Sequence, residues 1–216
     1  MKTTVNLKRG NSPLILGIPH TGTNISNEIW NSLNNQGRLL ADTDWHVDRL
    51  YDGLRTDVTV VQNLIHRYVI DVNRSPNNES LYPGKNTTEL CPTTDFDGNP
   101  IYLPGLNPTP DDIAKRIIKY HKPYHKCLAD EINRVKAING FAILYDCHSI
   151  RSVIPYLFSG VLPDFNIGTN NGITCSHSIE QKVLTICNRT TKFSTIVNGR
   201  FKGGWTTRQY GKPHEN

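Results

Sequence analysis

The chain has 216 residues, a size suited to one domain with its own core, and its composition, 37% apolar and 20% charged with 16 Gly and 13 Pro, is that of a loop-rich globular protein. Disorder, collagen and coiled coil are excluded on those figures. The net charge of +5 is uneven: residues 181–216 carry seven Lys or Arg against Glu215 alone, whereas residues 1–180 hold 17 basic and 18 acidic side chains.

Leu14-Ile15-Leu16-Gly17-Ile18 is a short apolar run ended by Pro19, the pattern of a buried strand entering a loop. Residues 44–55 place Val47, Leu50, Tyr51 and Leu54 at helical spacing. Val58–Leu64 and Tyr68–Val72 are rich in β-branched residues and predict strands. Asn73 to Pro110 contains seven prolines and little periodicity, so it predicts a functional loop or a set of short elements. A helix is expected over Asp111–Ile138, kinked near Pro123 and closed by Asn139-Gly140. Phe141–Tyr145 predicts a second buried strand, about Ser176–Asn188 a further helix, and Thr195–Val197 a last strand. Strands alternating with helices predict an α/β fold: a mixed, mostly parallel sheet with helices on both faces.

No apolar run reaches the ~18 residues of a membrane span, and the N-terminus lacks the apolar segment of a secretory signal. A cytoplasmic protein without a membrane partner is expected. Five cysteines without a CxxC pair fit free thiols rather than a disulfide framework or a zinc knuckle.

In α/β sheets ligands bind beyond the carboxyl ends of strands. His20 follows the first apolar strand and His148 follows the strand at 141–145, so both can meet at one sheet edge. A catalytic zinc takes three His or carboxylate ligands and keeps a position open. Asp42, Asp44 and Asp48 supply acidic candidates, although Asp42 or Asp44 also suits a helix cap and Asp48 a solvated face. Asp146, two residues before His148, lies on its side of an extended chain and can orient it from behind. Arg67 opens the predicted strand and Asn73-Arg74 closes it, where a guanidinium fork can grip a carboxylate. His121 and His125 stand four apart on a predicted helix, yet Pro123 lies between them and no HExxH pattern is present, which favours packed or solvated histidines. Cys147 reads as a small core residue rather than a nucleophile, and Trp30, Trp45 and Trp205 as core or pocket walls.

Pro19-His20-Thr21-Gly22, Asp44-Trp45-His46-Val47-Asp48-Arg49-Leu50-Tyr51, Asp71-Val72-Asn73-Arg74, Leu81-Tyr82-Pro83-Gly84, Asp146-Cys147-His148-Ser149-Ile150-Arg151-Ser152 and Asn198-Gly199-Arg200-Phe201-Lys202-Gly203-Gly204 occur in this order. Together they resemble the N-formylglutamate deformylase (N-formylglutamate amidohydrolase) family, from about residue 13 to the end. The resemblance implies hydrolysis of N-formyl-L-glutamate to L-glutamate and formate, the last step of one bacterial route of histidine degradation. It also implies a phosphorylase/hydrolase-like fold similar to zinc-dependent exopeptidases and aspartoacylase. Carried onto this sequence, it makes His20, Asp44 and His148 ligands of a divalent metal, zinc first, with Asp48 the rival of Asp44. Arg67 then stabilises the oxyanion, and Asn73 and Arg74 hold the α-carboxylate of a small dicarboxylate substrate. Arg151, Arg200, Lys202 and Arg208 form the pool for the second carboxylate, Arg200 first.

The family continues for several tens of residues past Gly211-Lys212-Pro213, where the analogous exopeptidases carry a general-base glutamate. One domain over 1–216 lacking that C-terminal part, with weak or absent turnover, is therefore expected; the alternative is that another carboxylate such as Asp146 serves as the base. Two rival readings stand beside the deformylase. One is a related metal-dependent deacylase of another N-acyl amino acid or peptide, or a carboxypeptidase-like hydrolase. The other is a nucleic-acid or anionic-partner module using the basic C-terminal stretch, disfavoured by few stacking platforms and no nucleic-acid motif.

Overall fold

The computed structural model describes residues 3–84 and 86–214; Glu215 lies outside them. The chain divides into two compact units, Met1–Ile150 and Arg151–Asn216.

The first unit is built on a four-stranded sheet of β1 (Val5–Lys8), β2 (Leu14–Ile18), β3 (Thr59–Asn63) and β4 (Ile143–Asp146), in the order β1-β3-β2-β4. β2 runs parallel to both β3 and β4, while β1 pairs antiparallel with β3. The sheet is thus mixed and mostly parallel. β1, half exposed along its length, gives too short an apolar signal to be read from the sequence. Between β2 and β3 come α1 (Asn27–Ser32), started by the Ser26 side chain, and α2 (Val47–Tyr51). Val47 and Tyr51 of α2 pack on Leu16 and Ile18, covering one face. The predicted helix over 44–55 is therefore only its middle, because residues 42–46 form a tight loop.

The other face carries a long helix in three parts. α3 (Pro110–Arg116) begins with a reciprocal capping box between Thr109 and Asp112 and with proline in its first turn. Residues Ile117–His121 form a π turn, and α4 (Lys122–Asn139) ends at Gly140, whose φ of 80° closes the helix in the left-handed region. The kink expected near Pro123 is this π turn. Proline lacks the N–H that an α-helical turn needs, and Lys122 N–H reaches Ile117 O instead. α4 lies against β1, β2 and β3, and Glu131, 1% exposed, ties it to the loop before β2 through Arg9 (2.8 Å) and Arg134 (2.6 Å).

One expected strand is not formed. Tyr68–Val72 is buried but irregular, and side chains, not a neighbouring strand, satisfy its carbonyls: Tyr102 Oη donates to Tyr68 O (3.1 Å), Arg116 to Val69 O (3.0 Å) and His125 Nε2 to Val72 O (2.7 Å). Its apolar residues Val69 and Ile70 join Ile29, Ile65, Leu90 and Tyr120 in a core cluster, which explains the strand-like composition. Two of the tryptophans read as core or pocket walls lie outside the core: Trp45 is 51% exposed and Trp30, beneath the Arg38 guanidinium, 37%.

In the second unit β5 (Phe165–Ile167) and β6 (Thr195–Val197) pair in parallel across α5 (His177–Cys187), and α6 (Trp205–Tyr210) follows. Asn198, at a φ of 52°, ties β6 back to Thr169 through both ends of its amide. Among the described residues no helix is long and apolar enough to cross a membrane.

Candidate functional site

The parallel pairing of β2 with β4 sets Gly17 opposite Asp146, so the chain leaves both strands at one edge, and His20 and His148 arrive there with ring centroids 4.9 Å apart. Two close approaches fix the His20 loop. Asn63, fully buried at the end of β3, donates to Pro19 O (2.9 Å). Gly22 lies so near the backbone after β3 that a Cβ there would stand 2.3 Å from Leu64 C, so only glycine fits.

Asp44 reaches this edge from the α1–α2 loop, and its backbone N–H donates to His20 O (3.1 Å). The loop is strained, with Leu40 and His46 both in the left-handed region at φ 51° and 66°. A buried network holds it. Tyr68 Oη and Phe96 N both donate to Asp42 Oδ2 (2.9 Å each). His66 accepts from Tyr68 N at Nδ1 (3.0 Å), so its Nε2–H donates to Thr43 Oγ1 (3.0 Å), which in turn donates to Leu40 O (2.7 Å). Neither Asp42 nor Asp44 caps α2, whose N-cap is His46.

The side chains of His20, Asp44 and His148 each offer one atom within 4.8 Å of the others. Each imidazole is gripped at its far nitrogen. Asp71 Oδ1 takes His20 Nε2 (2.7 Å) and Asp146 Oδ2 takes His148 Nε2 (3.0 Å). A carboxylate that holds a proton at Nε2 leaves Nδ1 as the position through which the ring can bind a metal, the device by which proteins aim metal-binding histidines. His148 Nδ1 lies 3.1 Å from Asp44 Oδ2, and the buried His20 Nδ1 has no hydrogen-bond partner. A buried nitrogen left unpaired between a carboxylate and a second imidazole is what a His–Asp–His zinc site provides, so the residues fit that metal.

Without a metal the same groups hold one another as charged partners. Burial opposes the charge on Asp44, but the hydrogen bond from His148 and the His20 imidazole 3.7 Å away outweigh it and hold the carboxyl far below its ordinary range. Desolvation opposes the charge on His148, and Asp146 and Asp44 overcome it, lifting its pKa to about 10, so without a metal the ring carries a proton on both nitrogens and Nδ1–H donates to Asp44 Oδ2; a metal bound there would take the place of that Nδ1 proton. Asp71, fully buried, is kept well below its usual value against desolvation by His20 and Arg67.

The other sequence candidates divide. Asp48 turns away from the triad, accepting from Gln62 Nε2 (3.2 Å) and Arg49 N (2.9 Å) on the α2 face. Asp146 stands behind His148 as its orienting partner. Arg67 is buried against the site, 2.7 Å from Asp71 Oδ2 and 3.9 Å from Asp44 Oδ1, over the Phe96 ring. The Asn73 amide meets His148 Nε2 (3.0 Å), while the Arg74 guanidinium donates to Thr88 O and Oγ1 (2.9 Å each). Arg151, Arg200, Lys202 and Arg208 belong to the second unit, where Arg200 donates to Leu157 O (3.0 Å). Cys147 is a core residue, 1% exposed, its thiol pKa pushed up by burial. His121 and His125 are packed, 2% and 8% exposed. Asp71, Asn63 and His66 were missed as site residues; the Asp-x-Asn-Arg string contained the first.

Two buried histidines make stability depend on pH. Burial depresses both His66 and His125 from an ordinary 6.5 to about 3. Between those values the unfolded chain binds more protons, so this stability is complete above pH 6.5 and is lost as pH falls toward 3. The expected loss is about 2 kcal/mol per histidine by pH 5. Urea midpoints between pH 7 and 4 check this, and a flat profile would contradict it.

A mostly parallel α/β sheet delivering two carboxylate-gripped imidazoles and an aspartate to one edge defines a hydrolase-like enzyme. The chain belongs to the N-formylglutamate amidohydrolase family, whose profile matches residues 12–216. It is 40% identical over 217 residues to the N-formylglutamate deformylase of Pseudomonas aeruginosa, covering all of this chain and 81% of that one. With the enzyme of the same name from Pseudomonas putida it shares 41% over 214 residues, 99% of this chain and 80% of that one. Its fold is similar to the crystal structure of an N-formylglutamate amidohydrolase from Ralstonia eutropha, with a TM-score of 0.78 at 23% identity, over 97% of this chain and 81% of that one. A gene product of Agrobacterium tumefaciens is similar in fold at a TM-score of 0.66 and 17% identity, over 97% and 80% of the two chains.

Proposed function

We propose that the protein hydrolyses the formamide bond of N-formyl-L-glutamate to L-glutamate and formate, with a divalent metal, zinc first, held by His20, Asp44 and His148. The observation that carries the reading is the buried, unpartnered Nδ1 of His20 facing Asp44 beside His148. A zinc ion bound there supplies Lewis acidity toward water and the formyl oxygen. The protein's own groups do the rest. Asp71 and Asp146 hold a proton on each Nε2, so both rings would hold the metal through Nδ1, that of His148 giving up its proton as the metal binds. Arg67, fixed by Asp71, places a permanent cation beside Asp44, where charge developing on the amide oxygen is stabilised. Asn73 and Arg74 receive the α-carboxylate, and Arg200, ahead of Arg151, Lys202 and Arg208, the side-chain carboxylate.

The names of the two Pseudomonas relatives support this substrate. The Asp-x-Asn-Arg segment beside a strand-end histidine supports kinship with zinc-dependent exopeptidases. The reaction would close a route of histidine degradation in the cytoplasm. Formate release from N-formyl-L-glutamate, N-formyl-L-leucine and N-acetyl-L-glutamate (acetate release for the last), with zinc-loaded and chelator-treated protein, tests the reading. Whatever its rate, turnover is expected to depend on zinc and to favour the formylated dicarboxylate at least tenfold. Turnover indifferent to chelation would overturn the metal, and preference for the acetyl compound would overturn the substrate.

A further inference from the structure

The irregular segment 68–74 carries Asp71, Asn73 and Arg74 without a strand ladder to hold it; Asp71 N–H donates to Leu90 O (2.7 Å) and Asn73 N–H to the Asp71 side chain (2.8 Å), and side chains take up most of its carbonyls. Three of those partners come from one helix. Arg116 donates to Val69 O (3.0 Å), His125 Nε2 to Val72 O (2.7 Å) and His121 Nε2 to Arg74 O (3.0 Å). The last two carbonyls bracket Asn73. A carbonyl oxygen only accepts, so each imidazole carries its proton on Nε2. Their rings lie 4.4 Å apart, centroid to centroid.

The helix is shaped for this. In a regular α-helix Arg116 and His121, five residues apart, would point about 140° away from each other. The π turn over Ile117–His121 adds a residue to that turn and brings them to the same side, with His125 one α-helical turn further on.

We infer that His121 and His125 are positioning residues that hold Asn73 and Arg74 in the carboxylate-binding conformation, through hydrogen bonds from a π-turn helix to the carbonyls on either side of Asn73. The inference rests on the reading of Asn73 and Arg74 as substrate-binding residues. Neither histidine touches the reacting groups; each acts through the backbone it fixes.

Glutamine carries an amide nitrogen at the distance of Nε2 and restores the donor, whereas phenylalanine fills the space without one. The experiment compares His121→Phe, His125→Phe, their Gln counterparts and Asn73→Ala in the zinc-loaded full chain, by amide hydrogen exchange and by KM and kcat. In the Phe variants we expect exchange over residues 69–75 to accelerate at least tenfold with β2 unchanged. KM for N-formyl-L-glutamate should rise about tenfold with kcat within threefold, and Gln should recover both readings. Unchanged exchange at 69–75, or Gln variants as impaired as Phe, would overturn the positioning role. Accelerated exchange rescued by Gln, with KM at the wild-type value in Asn73→Ala and the Phe variants alike, would uphold the positioning and overturn the carboxylate-binding reading beneath it.

Discussion

Replacing His20 by alanine should weaken zinc binding roughly a thousandfold, measured by competition with a chromophoric chelator, and Asp44→Ala should do the same. Both residues are almost wholly buried and aimed at one point, and their backbones are joined by the Asp44 N–H to His20 O bond, so no neighbouring group can swing in to replace either. Asp48→Asn serves as the control. Its carboxylate is spent on Gln62 and Arg49 N, and zinc affinity should stay within about twofold of wild type. Equal losses from Asp44→Ala and Asp48→Asn would refute the assignment of Asp44 as the acidic ligand.

Asp71→Ala should be the most damaging single change to the fold. The Asp71 carboxylate, with no exposed surface, accepts from His20 Nε2, Asn73 N and the Arg67 guanidinium at 2.7–2.8 Å. Removing it leaves the buried Arg67 charge without its closest partner, a loss of about 3–5 kcal/mol. It also frees the His20 ring to rotate or change tautomer, which should weaken zinc by a further 10–100-fold. Urea unfolding together with a zinc titration separates the two effects. A stability loss below about 1 kcal/mol would show that Asp71 is not the hub described here.

The sheet could be read from the sequence where apolar runs were long. Leu14–Ile18 and Val58–Leu64 announced β2 and β3, and the 3.6-residue pattern after Asp111 announced the long helix. β1 escaped because an edge strand buries only alternate residues, and Tyr68–Val72 misled because a buried segment needs apolar residues whether or not it pairs. In the site, strand-end position was enough to bring out His20 and His148. The choice between Asp44 and Asp48 was beyond spacing, since it depends on a loop held at positive φ by the buried Asp42–Tyr68–His66–Thr43 network. His121 and His125 were legible only as a pair, because the π turn that gives them a common target leaves no mark on composition.

The pairing of Gly17 with Asp146 makes the separation of the two histidines a property of the β-ladder rather than of any loop. A single residue inserted between Gly17 and His20, or between Asp146 and His148, would move a ring by about 3.3 Å and turn it to the opposite face. Insertions within 77–80, which are exposed, would leave that separation untouched. For anyone redesigning this protein, the edge carrying the two histidines is therefore intolerant of length changes between each strand end and its histidine. The long loop nearby is where new specificity can be grafted without disturbing the ruler.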